Sequence, residues 1–133
     1  MFAGLLPIFN MTNRKILTYI KTRNSIKKDI IKNENCIISI VNDNTKSCGT
    51  KRKLKKLKEL TILYDEFTAS SAEQLIIGIK ALSSKIKINL VGNKTAGFTT
   101  SIKWIELPDG SGIEIPYGYM VDINKKIYKK GIK

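Results

Sequence analysis

One unit constrains the fold of this 133-residue chain more than any other. An apolar run, Leu60 to Tyr64, leads through the polar turn Thr68-Ala69-Ser70-Ser71-Ala72-Glu73 into an amphipathic run, and a second apolar run, Ile86 to Val91, ends at Gly92. Ala72, Leu75, Ile76, Ile79 and Leu82 recur at helical spacing, so Ser71 to Ser83 reads as a helix. The flanking runs are short and read as strands, the first of them mostly buried. Strand, helix and strand in succession predict parallel pairing with a right-handed crossover. The fold class expected is therefore α/β.

The rest of the chain is arranged around that unit. Met1 to Phe9 reads as the first turns of a buried helix, with Phe2, Leu5 and Leu6 or Phe9 on one side. It is too short to span a bilayer, which takes about 20 apolar residues, and it lacks the basic start and small-residue cleavage site of a signal peptide. Lys15 to Lys21 alternates as a strand does, and Asp29 to Ile31 and Cys36 to Val41 suggest two more. Asn42 to Thr50 is polar and reads as a loop, which the basic run extends, so that residues 42–58 form a basic loop within a single domain. Ile102 to Leu107 and Gly112 to Ile115 flank Pro108-Asp109-Gly110 and predict a hairpin, with Asp109 serving the turn. Tyr119 to Ile123 and Ile127 to Tyr128 suggest a second, weaker one around Asn124-Lys125. Trp104 is expected to pack on one face of the first hairpin, and Tyr117 and Tyr119 to pack at core or rim.

Composition narrows the chemistry. Histidine is absent, which removes the commonest general base and metal ligand. The spacing of Cys36 and Cys48 fits no zinc or thioredoxin-like motif and favours two free thiols over a disulfide. No metal site and no cofactor follow. The net charge of +13 gathers in residues 51–58 and in Lys125, Lys126, Lys129, Lys130 and Lys133. Such patches bind anionic polymers by counterion release. A nucleic-acid module or aromatic stacking platform is not visible, so nucleic acid is not the expected partner and the lysines read as a solvated loop and tail.

Ser70 admits two readings. Backbone amides at a helix N-terminus are unpaired and favour negative charge, so a serine at a strand-to-helix turn is well placed as a nucleophile, with the Ser71 amide helping to hold an oxyanion. Ser70-x-x-Glu73 is equally the spacing of a capping box, and caps are commoner than nucleophiles.

Three ordered blocks bear on that choice: Leu63 to Glu73, Val91-Gly92-Asn93-Lys94-Thr95-Ala96-Gly97-Phe98, and Leu107-Pro108-Asp109-Gly110-Ser111-Gly112. Their order resembles the catalytic domain of the tail-specific (C-terminal processing) serine peptidases, in which a Thr-Ala-Ser turn, a Gly-x-x-Thr-x-Gly loop and an Asp-Gly hairpin follow one another. Thr-Ala-Ser-Ser-Ala-Glu looks closest to the nisin-resistance protein and tricorn-like branch. The resemblance implies a serine-type peptidase acting on a peptide substrate, with Ser70 as nucleophile and the Ser71 amide as one oxyanion-hole donor. Glu73 would orient the site or complete the cap. Thr95, Ala96, Gly97 and Phe98 would wall the substrate site.

The departures from the family pattern carry as much. The lysine of the family's Ser–Lys dyad would stand at Phe98, and Lys94, before the threonine, reads as a surface lysine. Phe98 fits the branch that takes its base from an N-terminal histidine, and this chain has none. Met1 to Phe9 resembles the helix that follows the family's Asp-Leu-Arg…Gly-Gly strand and turn, the source of the second oxyanion-hole amide. The chain therefore reads as a C-terminal piece of a catalytic domain, incomplete and nearly inactive alone, whose partners are a peptide and the missing N-terminal part. The full-length relatives of this branch are extracytoplasmic or membrane-associated. The alternative, from a different class, is a non-catalytic remnant whose basic surface binds anionic cell-wall polymer or membrane.

Overall fold

Among the described residues, alternating apolar residues build strands on both sides of one helix. The computed structural model describes residues 15–33, 36–39, 45–48, 58–81 and 86–133. Their order is β1 (Lys15–Lys21), β2 (Ile26–Asn33), β3 (Cys36–Ser39), β4 (Thr45–Cys48), β5 (Glu59–Tyr64), α1 (Ser71–Ala81), β6 (Lys87–Gly92), β7 (Thr100–Glu106) and β8 (Gly112–Val121). Six strands form one sheet in the order β4-β3-β2-β1-β8-β7, with antiparallel neighbours throughout, and β5 and β6 form a separate parallel pair. The α/β class and the parallel strand–helix–strand unit stand as the pattern predicts. The helix expected over Met1 to Phe9 lies outside the described residues.

Helix α1 packs against residues of both sheets. Ile79 and Ala81 join Leu17 and Ile30 of the large sheet, with Leu60, Ile62 and Ile88 of the parallel pair against them. Ile76 and Ile77 join Ile20, Met120, Tyr128 and Ile132, with Ile62, Tyr64 and Leu90 alongside. The buried face is thus wider than the predicted stripe, because Ile77 and Gly78 are buried as well. A fully buried isoleucine contributes roughly 2 kcal/mol, so Ile76, Ile77 and Ile79, each nearly inaccessible, anchor the element that carries the Ser70 turn.

Several expectations are corrected. Residues 45–48 are a strand within the predicted polar loop, and Cys36 and Cys48 are joined in a disulfide and are not free thiols. The reason is shared: Cys36 and Cys48 face one another in the β3–β4 register, so the bridge and the ladder close the same hairpin. A hydrophobicity pattern gives no sign of so polar an edge strand. β8 is also one continuous strand where two segments were expected. Its pairing with β7 shifts register between Ser101 and Ile102, which face Gly118 and Pro116. The second hairpin reduces to one antiparallel bridge, Val121 with Ile127, and Asp122 closes the turn between them. Asp122 Oδ1 accepts from the amides of Asn124 and Lys126, and Oδ2 accepts from the Tyr128 hydroxyl at 2.7 Å. Burial first, then the bonded Asp122 carboxylate, pushes the Tyr128 phenol well above its usual range.

The parallel pair is polar and then apolar along its outer face. Glu59 pairs with Lys87 and Thr61 lies beside Asn89, whereas Leu63 and Val91, opposite one another, are exposed together with Phe67. In the β7–β8 hairpin, Trp104 lies over Gly112, where any side chain would collide with the indole ring, and remains 61% exposed.

Candidate active site

Strand β5 stops at Tyr64 because Asp65 and Thr68 tie the chain into a tight turn. Asp65 Oδ1 accepts from the amides of Phe67 and Thr68 and from the Thr68 hydroxyl, and the Asp65 amide donates back to Thr68 Oγ1, all at 3.0–3.1 Å. Asx and ST turns of this kind replace ladder bonds with side-chain ones. They deliver Ser70 to the start of α1.

Ser70 has φ +52°, a left-handed conformation that costs a non-glycine residue roughly 1–3 kcal/mol. Its amide donates to Glu73 Oε2 at 3.0 Å, the reach-back half of a capping box. The side chain is exposed at the mouth of a cleft of about 410 Å³ whose walls include Gln74, Phe98, Thr100, Ile102 and Tyr117. Ser71 opens the helix, so its N–H has no intrahelical acceptor and lies at the positive end of the helix dipole.

Glu73 is fully buried and joins three parts of the chain. Its Oε1 accepts from Thr95 Oγ1 at 2.5 Å and from the Gly97 amide at 2.7 Å, while Oε2 holds Ser70. Thr95 Oγ1 accepts in turn from the Ile132 amide at 2.7 Å, and the Ala96 amide donates to Thr68 O at 3.0 Å. Gly97 has φ +86°, and a Cβ there would come within 2.8 Å of Gly131 N and Lys129 O, so the loop requires glycine on two counts.

The predicted residues therefore separate into two groups. Ser70 and Phe98 share the cleft, and Phe98 is 68% exposed. Thr95 and Gly97, also expected at the substrate site, bond to Glu73, and Ala96 bonds to Thr68. Lys94 is exposed, as a surface lysine should be. Gln74, Thr100 and Tyr117 line the cleft and were missed. Gln74 lies one residue beyond Glu73 in the helical spacing already read, whereas Thr100 and Tyr117 meet only through the β7–β8 pairing. Among the described residues, no cluster of three His, Cys, Asp or Glu side chains is placed to hold a metal.

Comparison with known proteins gives the fold its relatives. A lipoprotein from Streptococcus agalactiae superposes with a TM-score of 0.64 at 23% identity, over 98% of this chain and 42% of that one. The photosystem II D1 C-terminal processing protease does so with a TM-score of 0.64 at 17% identity, over 99% of this chain and 29% of that one. A peptidase structure from Parabacteroides merdae gives 0.59 at 16%, over 99% of this chain and 38% of that one. The chain thus spans less than half the length of each of these structures. No curated protein matches it. The family model of Peptidase family S41 matches residues 8–133, and the chain belongs to that family.

Proposed function

We propose that this chain is the nucleophile-bearing part of a serine-type peptidase. Ser70 Oγ attacks the scissile carbonyl and forms an acyl-enzyme as the amine leaves. Water then cleaves the ester and restores the hydroxyl. The Ser71 amide bonds the oxyanion, and Glu73 positions Ser70 through its amide. The proton from Ser70 goes to a histidine supplied from outside this chain, which passes it to the leaving amine, and a second donor from the same source completes the oxyanion hole. Phe98 contacts the substrate next to Ser70. The resemblance of its Thr-Ala-Ser-Ser-Ala-Glu turn to the nisin-resistance branch points to a substrate of the lantibiotic type, held by short-range contacts because a net charge of +13 repels cationic peptides at long range.

The observation that carries the reading is Ser70 itself: strained, exposed and set at a helix N-terminus in an open cleft. Strain of this kind persists where the surroundings enforce it, often at functional sites. Two observations support an extracytoplasmic setting, the Cys36–Cys48 bridge and the description of one structural relative as a lipoprotein. No helix among the described residues is long and apolar enough to cross a membrane. The second reading, a remnant that binds anionic polymer or membrane, is favoured by the cleft lining, which among the described residues holds no histidine, lysine or carboxylate to serve as base.

A fluorophosphonate probe separates the two. The chain alone should label slowly and hydrolyse neither nisin nor other peptides, because an unactivated serine is a poor nucleophile. Added imidazole, standing in for the missing base, should speed labelling by on the order of tenfold or more, and Ser70→Ala should abolish it. Labelling that is indifferent to imidazole and to Ser70→Ala would leave the remnant reading. Ser70-dependent turnover without imidazole would overturn the expected inactivity and direct attention to Lys94.

A further inference from the structure

Beside the Ser70 cleft lies a second recess of about 490 Å³, and Thr100 and Tyr117 line both. Its other walls include Lys21, Arg23, Tyr119 and Lys129, and among the described residues no carboxylate lines it. Lysine and arginine are abundant here, so three cations alone would say little. Their placement says more.

Lys21 of β1, Tyr119 of β8 and Thr100 of β7 are register partners and form one row across three adjacent strands. Arg23 stands on the β1–β2 turn, which Thr22 and Ser25 lock: Thr22 N donates to Ser25 O at 2.8 Å, and Ser25 N donates to Thr22 Oγ1 at 3.1 Å. The Lys129 ammonium sits 4.6 Å from the centre of the Tyr119 ring, which holds it against the same wall. The cations are therefore presented from two stretches of chain, residues 21–23 and Lys129, around a concavity that shares Thr100 and Tyr117 with the cleft. Two inter-strand spacings separate Thr100 from Lys21, roughly 10 Å, which an extended peptide covers in about three residues.

We propose that this recess is a carboxylate subsite of the Ser70 cleft. It takes a negative group of a peptide lying in that cleft, about three residues along from the position opposite Thr100. The proposal rests on the peptidase reading and adds a preference within it. The carboxylate belongs either to an Asp or Glu side chain or to a free C-terminus, and both present the same chemistry to a lysine–arginine pocket.

Fluorescence anisotropy on the 133-residue chain tests this with labelled hexapeptides of alanine and leucine: one with an amidated end, one with a free C-terminal carboxylate, and one amidated with an internal aspartate. At least one carboxylate peptide should bind about tenfold or more tightly than the neutral one, and which one does so identifies the source of the group. The preference should vanish in the Lys21→Gln/Arg23→Gln/Lys129→Gln variant. In a Lys21→Glu/Arg23→Glu variant it should shift toward a lysine-bearing peptide. Equal binding of all three peptides, or a preference that survives the triple variant and so comes from charge elsewhere, would overturn the proposal. The measurement involves no turnover, so a Ser70 that fails to react with the fluorophosphonate would count against the peptidase reading without touching this result.

Discussion

At the residue scale Glu73 decides how the site is held. A buried carboxylate with three donors is favourable only while all of them stay in place, since each unmet group in such a setting costs about 1–3 kcal/mol. Glu73→Ala should therefore destabilise the chain by about 3 kcal/mol in urea unfolding. Glu73→Gln should lose less, since it keeps one acceptor but points an amide group at donors. Hydrogen exchange gives the sharper check: the amides of Ser70 and Gly97 should lose protection in both variants, ahead of those in the middle of α1. The Ser70–Glu73 spacing made the cap legible in the sequence. The bonds to Thr95 and Gly97, 22 and 24 positions away, were not, because nothing in local periodicity reports which loop returns to a helix N-terminus. Capping and catalysis, weighed as rivals from sequence, prove compatible in geometry: the glutamate serves the backbone amide and leaves the serine side chain exposed at the cleft.

At the element scale, legibility followed amphipathic pattern. β5, α1 and β6 were readable because each buries a regular set of apolar residues, and the Pro108-Asp109-Gly110 turn was readable because its residues are specific to turns. β4 was not, since Thr45-Lys46-Ser47-Cys48 carries no apolar alternation and owes its place to the ladder and bridge with β3. That bridge spans a sequence separation of 12, and a loop of that order gives about 3 kcal/mol in the chain-entropy view. Because β4 and β3 occupy the edge of the sheet farthest from β7, the loss on reduction should stay local. Treatment with a reductant should raise exchange in β3 and β4 by on the order of a hundredfold, and leave α1 and the Ser70 turn protected as before. Collapse of α1 on reduction would show that the two regions are coupled more tightly than their separation implies.

At the scale of the whole molecule, the family and class were legible in three ordered blocks, whereas the course of the cleft was not. The recess beside Ser70 is assembled from β1, its following turn, β8 and the segment after it, residues that sequence reading assigned to separate strands and a basic tail. The parallel β5–β6 pair adds a consequence for the chain in solution. Parallel strands are ordinarily covered on both faces, yet Leu63, Val91 and Phe67 face outward on this pair. A patch of this kind favours self-adhesion, while a charge of +13 holds copies apart. The two tendencies respond differently to ionic strength: salt shortens the reach of the repulsion to about 8 Å near 0.15 M and leaves apolar contact intact. Light scattering should accordingly show dispersed chains at low salt and growing particles as sodium chloride is raised, and Leu63→Lys/Val91→Lys should suppress that growth. The purified protein should thus behave as a charge-stabilised colloid, kept in solution by the same lysines that make it look like a binder of anions.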